Sequence, residues 1–203
     1  MEIQKDTYRT LAKPSEVILY KDRKSKFYGY AFPINNESEV KPIIDGLRKQ
    51  HHTAGHVCYA WQLGTTSISY RANDDGEPNN SAGMPIYGQI KAFELTNVLV
   101  AIPRIFGGTK LGVGGLIQAY KTAAQLALEN ASVITKTIEA AFLVTFDYSE
   151  MDKVMRIVKQ QHLDVVAQKM ELHCELEVRC RKGLEKKVFL LFDELQHVNI
   201  LRK

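Results

Sequence analysis

Apolar and polar positions alternate in two short runs near the start, EVILY at 16–20 and KFYGYAF at 26–32, on either side of a charged turn at 21–25. The alternation predicts a pair of strands. Val40, Ile43, Ile44 and Leu47 then recur at helical spacing, predicting a helix over 38–50 with Ser38 as its N-cap. HVCYAWQL and TSISYRA read as a hairpin around Gly64 and Thr65, and NDDGEPNN at 73–80 is loop by composition. A helix is expected over 81–93 and a buried strand over NVLVAI at 97–102. The glycine-rich stretch FGGTKLGVGG at 106–115 leads into a further helix, with Leu116, Tyr120, Ala123 and Ala127 on one face. Residues 1–134 are thus expected to form one domain, strands mixed with three helices around one core.

The period changes near Thr135. Ile138, Ala140, Phe142, Val144, Phe146 and Tyr148 alternate as in a half-buried strand. Ser149 and Asp152 fit a capping box for a helix with Met151, Val154, Met155 and Val158 as its buried stripe. LDVVAQ reads as a short strand, and in ELHCELEVRCR one face holds Leu172, Cys174, Leu176, Val178 and Cys180. The other face holds Glu171, His173, Glu175, Glu177, Arg179 and Arg181. Leu184, Val188, Leu191, Phe192 and Leu195 return to helical spacing, so residues 135–203 give most of a ferredoxin-like βαββα unit. The class is mixed α/β (α+β), with the boundary between Asn130 and Thr137.

Composition narrows the class without deciding the function. Of the 203 residues 45% are hydrophobic and 25% charged, average values for globular domains, which excludes disordered and fibrous classes. No apolar run nears the roughly 18 residues of a membrane span, and the polar opening MEIQKDTYRTLAKPSE has no signal-peptide core. A cytoplasmic location without membrane association is the expectation. Cys58, Cys174 and Cys180 suggest neither a disulfide framework nor a zinc site. The net charge of +4 is compatible with a polyanionic partner but does not call for one.

Three constellations could carry chemistry. His51, His52 and His56 cluster at a helix-to-strand junction, and histidine suits metal ligation or proton transfer near neutral pH. Their spacing matches no zinc motif, so neither metal nor cofactor is expected. Arg71 is followed by Asp74, Asp75 and Glu77, three carboxylates that lack the calcium-loop register but could hold a hard cation such as magnesium, act as acid and base, or merely bond their own turn around Gly76. Arg104, Gly107, Gly108, Thr109, Lys110, Gly112, Gly114 and Gly115 precede a helix, where free N–H groups, close backbone approach and two cations suit a phosphate. This stretch is neither a Walker motif nor a dinucleotide fingerprint, and tight strand-to-helix packing explains it equally well.

HVCYAW, RANDDGEPNNSAGMPI and FGGTKLGVGGLIQAY together resemble the signature block of the YigZ/IMPACT family. KSKFYGYA and the C-terminal βαββα pattern extend the resemblance over nearly the whole chain, with Ile105 standing where the family pattern has tyrosine. The resemblance implies a first domain like the second domain of small-subunit ribosomal protein five and domain four of elongation factor G. It implies a second domain like domain five of that factor. Relatives in that superfamily bind RNA and ribosomes, and its small-molecule kinases hold phosphate on a glycine-rich loop. The family brings no established catalytic activity.

Two readings follow. In the first, the chain is a translation-associated RNA- or ribosome-binding protein whose glycine-rich loop, with Lys24, Lys26, Arg71, Arg104 and Lys110, contacts phosphates. In the second, it is an enzyme acting on a phosphorylated small molecule or a peptide, with His52, His56, Asp74, Asp75 and Glu77 in a polar cleft. Both require the regions of His52, Asp74 and Arg104 to meet in space.

Overall fold

The computed structural model describes residues 6–203, which divide into two compact units: residues 8–136, and residues 137–203 together with Asp6 and Thr7. β1 (Thr7–Leu11) and β7 (Val133–Thr137), all but their outer residues Thr7 and Thr137 in the first unit, pair in a small two-stranded sheet. Residues 133–137 of the expected boundary segment are therefore strand. The main sheet has five antiparallel strands: β2 (Ile18–Asp22), β3 (Ser25–Pro33), β6 (Val98–Ile105), β4 (His56–Leu63) and β5 (Ser69–Asn73), in that spatial order.

Strand β6 is central and runs past the predicted end at Ile102, through Pro103 to Ile105. Proline has no N–H to donate, and the pairing of β6 with β3 skips the positions opposite it and resumes at Arg104. Helices cover both faces of the sheet. Phe27, Cys58, Val100 and Ile102 pack under α2 (Gly83–Ala92) and α3 (Gly112–Glu129). Tyr30, Val57, Trp61 and Leu99 pack under α1 (Val40–Gln50). The expected single core is thus two apolar layers, because a sheet covered on both sides buries both phases of its alternation.

Ser38 does not cap α1. It lies in a 3-10 turn (Glu37–Glu39) that opens the helix, and its hydroxyl donates to Asn36. α2 is held at its start from a distance: Asp74 Oδ1 accepts the N–H groups of Ala82 (2.9 Å) and Gly83 (2.8 Å).

The second unit orders its strands β11 (Val198–Arg202), β8 (Glu139–Asp147), β10 (His173–Arg181) and β9 (Asp164–Lys169), all antiparallel neighbours. α4 (Met151–Gln160) and α5 (Glu185–Asp193) supply helical partners for one apolar face. Strand β11 completes the ferredoxin-like pattern that the sequence left one strand short. Three local expectations fail here. Ser149 and Asp152 form no capping box, since a 3-10 turn (Tyr148–Glu150) leads into α4 without a side-chain cap. Met155 is exposed, and Ile157 takes its place in the buried stripe. Leu172 lies outside β10 at 85% exposure, although Cys174, Leu176, Val178 and Cys180 are buried as predicted. Among the described residues no helix is long and apolar enough to cross a membrane.

Candidate functional site

Strand register sets the site. His56 stands opposite Arg104, and Arg104 opposite Phe27, so all three project from the sheet face that carries α2 and α3. The loop from Asp74 to Pro78 closes over this end. His56 Nδ1 lies 2.7 Å from the Asp75 carbonyl, which can only accept, so Nδ1 carries the proton and Nε2 of the neutral ring keeps its lone pair. Gly76 has φ +86°, a conformation that glycine adopts without strain, and it sits in van der Waals reach of the His56 ring. Glycine thus lets the loop pass over the imidazole.

Beneath the loop is a buried polar network. Glu77 Oε1 accepts from Arg104 Nη1 at 2.5 Å and from the Tyr120 hydroxyl at 2.8 Å. The side chains of Arg104 and Glu77 are only 7% and 4% exposed. Cys58 Sγ lies 3.2 Å from the Tyr120 hydroxyl and 3.0 Å from the Asp74 carbonyl. Burial pushes both the Cys58 thiol and the Tyr120 phenol well above their ordinary ranges, so neither ionises near neutral pH. Burial therefore disfavours a nucleophilic thiolate at Cys58.

His56, Glu77, Pro78, Arg104, Phe106 and Lys110 join the first turns of α3 around a cleft of about 400 Å³. Gly107 is pinned rather than free: its N–H donates to Ser25 Oγ at 3.1 Å, and a β-carbon there would sit 2.1 Å from the Lys24 carbonyl carbon. The packing explanation therefore holds at Gly107. Gly108, Thr109, Lys110, Gly112 and Gly114 remain exposed, while Gly115 packs against Leu111.

The three sequence regions do meet, through His56, Asp75 and Glu77, and Arg104; the Gly55 N–H also donates to the Arg104 carbonyl at 3.0 Å. Individual candidates separate from the cleft. His52 is exposed in the turn after α1 and does not line it. Asp74 spends its carboxylate on the N–H groups of Asn80, Ala82 and Gly83, and Asp75 on Arg48 and the Val57 N–H. Both carboxylates hold the loop. Arg71 pairs in register with Trp61, which puts it on the α1 face. There it lines a different groove of about 320 Å³, with Glu37, Arg48 and Asp75. Lys26, next to Phe27, points from the face opposite Arg104.

Sequence reasoning missed Phe106, Tyr120 and Cys58. Tyr120 sat on an apolar stripe, yet a buried phenol needs a hydrogen-bond partner, and that requirement was the available signal.

The model of the Impact N-terminal domain matches residues 23–128, the segment that contains this whole cleft. The chain belongs to the YigZ/IMPACT family. The IMPACT family member YvyE of Bacillus subtilis is 30% identical over 171 residues, 84% of this chain and 77% of its own. An IMPACT family member from the pol 5' region of Thermus thermophilus is 36% identical over 144 residues, 70% of this chain and 76% of its own. A crystal structure described as a hypothetical protein shares the fold across 98% of both chains, with a TM-score of 0.70 at 20% identity. The cleft therefore lies within the part of this chain that matches the Impact N-terminal domain.

Proposed function

We propose that this chain is a translation-associated protein that binds RNA or ribosomes through the cleft of its first unit, contacting phosphates with Lys110 and the exposed loop beside it. Membership of the YigZ/IMPACT family supports the translation link, together with the resemblance to the ribosomal-protein and elongation-factor domains. The observation that carries the chemistry is the cleft itself. His56, Arg104 and Lys110 converge there beside the exposed backbone of Gly112, while the carboxylate of Glu77 is occupied by Arg104 and Tyr120. An unpaired lysine next to exposed glycine backbone, above a buried Arg104–Glu77 pair, suits an anionic oxygen.

Filter binding of total RNA and of ribosomal subunits across a salt series tests this. Lys110→Ala should weaken binding uniformly across sequences and reduce the salt slope by about one unit, because one phosphate is no longer neutralised by the protein. Saturable binding of a single small anion with almost no salt slope would instead favour an enzyme, with the free Nε2 of His56 as its base. Absence of any salt-dependent association with RNA or ribosomes in the wild type would end the reading.

A further inference from the structure

The β2–β3 hairpin turns on Arg23 and Lys24, both at positive φ (44° and 66°) between the paired residues Asp22 and Ser25. A two-residue turn of this kind favours Asn-Gly, since glycine and asparagine tolerate the left-handed region that arginine and lysine resist. Two basic residues held in an unfavourable conformation point to a role for their charge. Among the described residues, Arg23, Lys24 and Lys110 form no ion pair.

This tip is fixed against the glycine-rich loop through Gly107, which packs on the Lys24 and Ser25 backbone. The residue before Gly107 is Phe106, whose side chain is 53% exposed at the rim of the cleft. The Arg104 guanidinium lies 5.6 Å from the Phe106 ring centroid and 5.5 Å from that of Phe27, which orients the exposed ring over a buried cation. Arg104 Nε is buried without a hydrogen-bond partner, so the guanidinium has donor capacity that Glu77 does not use. An exposed, anchored aromatic ring among unpaired cations has the chemistry that takes a nucleobase on its face and the phosphates on either side.

We propose that Phe106 is a stacking platform for a base of single-stranded RNA, with Arg23 and Lys24 on one side and Lys110 on the other taking the flanking phosphates. This rests on the RNA-binding reading above and makes it more specific. A base inside a duplex cannot present its face to a side chain, so the platform selects single strands.

The test is fluorescence anisotropy of a labelled oligoribonucleotide, single-stranded and as its duplex, with the full chain. The single strand should bind at least roughly tenfold tighter. Phe106→Ala should raise its Kd roughly five- to a hundred-fold with an unchanged salt slope, and Phe106→Tyr should retain affinity. An oligonucleotide carrying 2-aminopurine should be quenched by the wild type and by Phe106→Tyr but not by Phe106→Ala. The double variant Arg23→Asn, Lys24→Gly should melt no lower than the wild type, because it relieves the turn, yet its salt slope should fall by about two units. If the single strand binds but Phe106→Ala binds it as well as the wild type does, or if the duplex binds equally well, the platform is wrong while the RNA-binding reading stands. If wild type binds neither form, both are wrong.

Discussion

In the unit of residues 8–136, Arg104, Glu77, Ser25, Gln89 and other polar side chains are buried among the apolar layers, whereas the core of residues 137–203 consists of apolar side chains and cysteines. Among the described residues every polar or charged residue buried as a whole lies in the first unit, while in the second a single carboxylate oxygen, Asp6 Oδ1, is buried without a hydrogen-bond partner. The ion pairs of the second reach its surface, as in Lys203 with Glu177 and Arg179 with Glu139. The two units thus solve the same packing problem by different means. An apolar core needs only shape, while a buried ion pair must be matched in geometry to offset its desolvation. Retaining such a pair under a cleft fixes the position of groups that line it, and the fold alone does not require it.

Removing Glu77 tests this contrast most severely. Glu77→Ala leaves Arg104 buried without a counter-ion and should cost about 3–5 kcal/mol, seen as a large drop in the urea midpoint. A loss below about 1 kcal/mol would mean that the pair does not organise the first unit. Asp74→Ala comes next, at about 2–3 kcal/mol, because three backbone N–H groups lose a charged acceptor and the start of α2 is released. If Asp74 were instead a proton-transfer group, the substitution would leave the melting temperature nearly unchanged. In the second unit, Arg179→Ala breaks an exposed pair at 3.8 Å and should shift stability by less than about 0.5 kcal/mol. A larger effect would show that surface charge matters there after all.

The smallest effect is a pH dependence in the first unit. Burial lowers the His51 pKa from the ordinary 6.5, and its Nε2 lies 2.7 Å from the Tyr30 hydroxyl. Since the unfolded chain takes the proton first, the contribution is complete above pH 6.5 and is lost as the pH falls below that value towards the lowered folded pKa. Urea midpoints at pH 7.5 and 5.5 should differ less in His51→Gln than in wild type.

Much of the site was readable as composition and little of it as geometry. The cluster of histidines, the acidic loop and the glycine-rich stretch were all visible, and they do converge. Which members face the cleft depends on strand register, which sends His56 and Arg104 to one face of the sheet and Arg71 to the other. Asp74 and Asp75 looked like chemistry because carboxylates in a loop look alike in sequence whether they meet backbone N–H groups or solvent.

The sequence by itself determined the sheet-and-helix alternation, the break in period near Thr135 and the family, since each is written in local periodicity or in contiguous motifs. It misplaced Ser38 and Ser149 as caps, because a 3-10 turn can open a helix without a side-chain acceptor and only the folded backbone reveals which start is used. It stopped β6 at Pro103 and passed over β11, because a strand is completed by its neighbours: β6 lies between β3 and β4, and β11 exists by pairing with β8. Tertiary structure alone brought Glu77 to Arg104, 27 residues away, and to Tyr120, 43 residues away. No local pattern encodes that meeting, since it depends on a loop, a central strand and a helix being packed at one end of the same sheet.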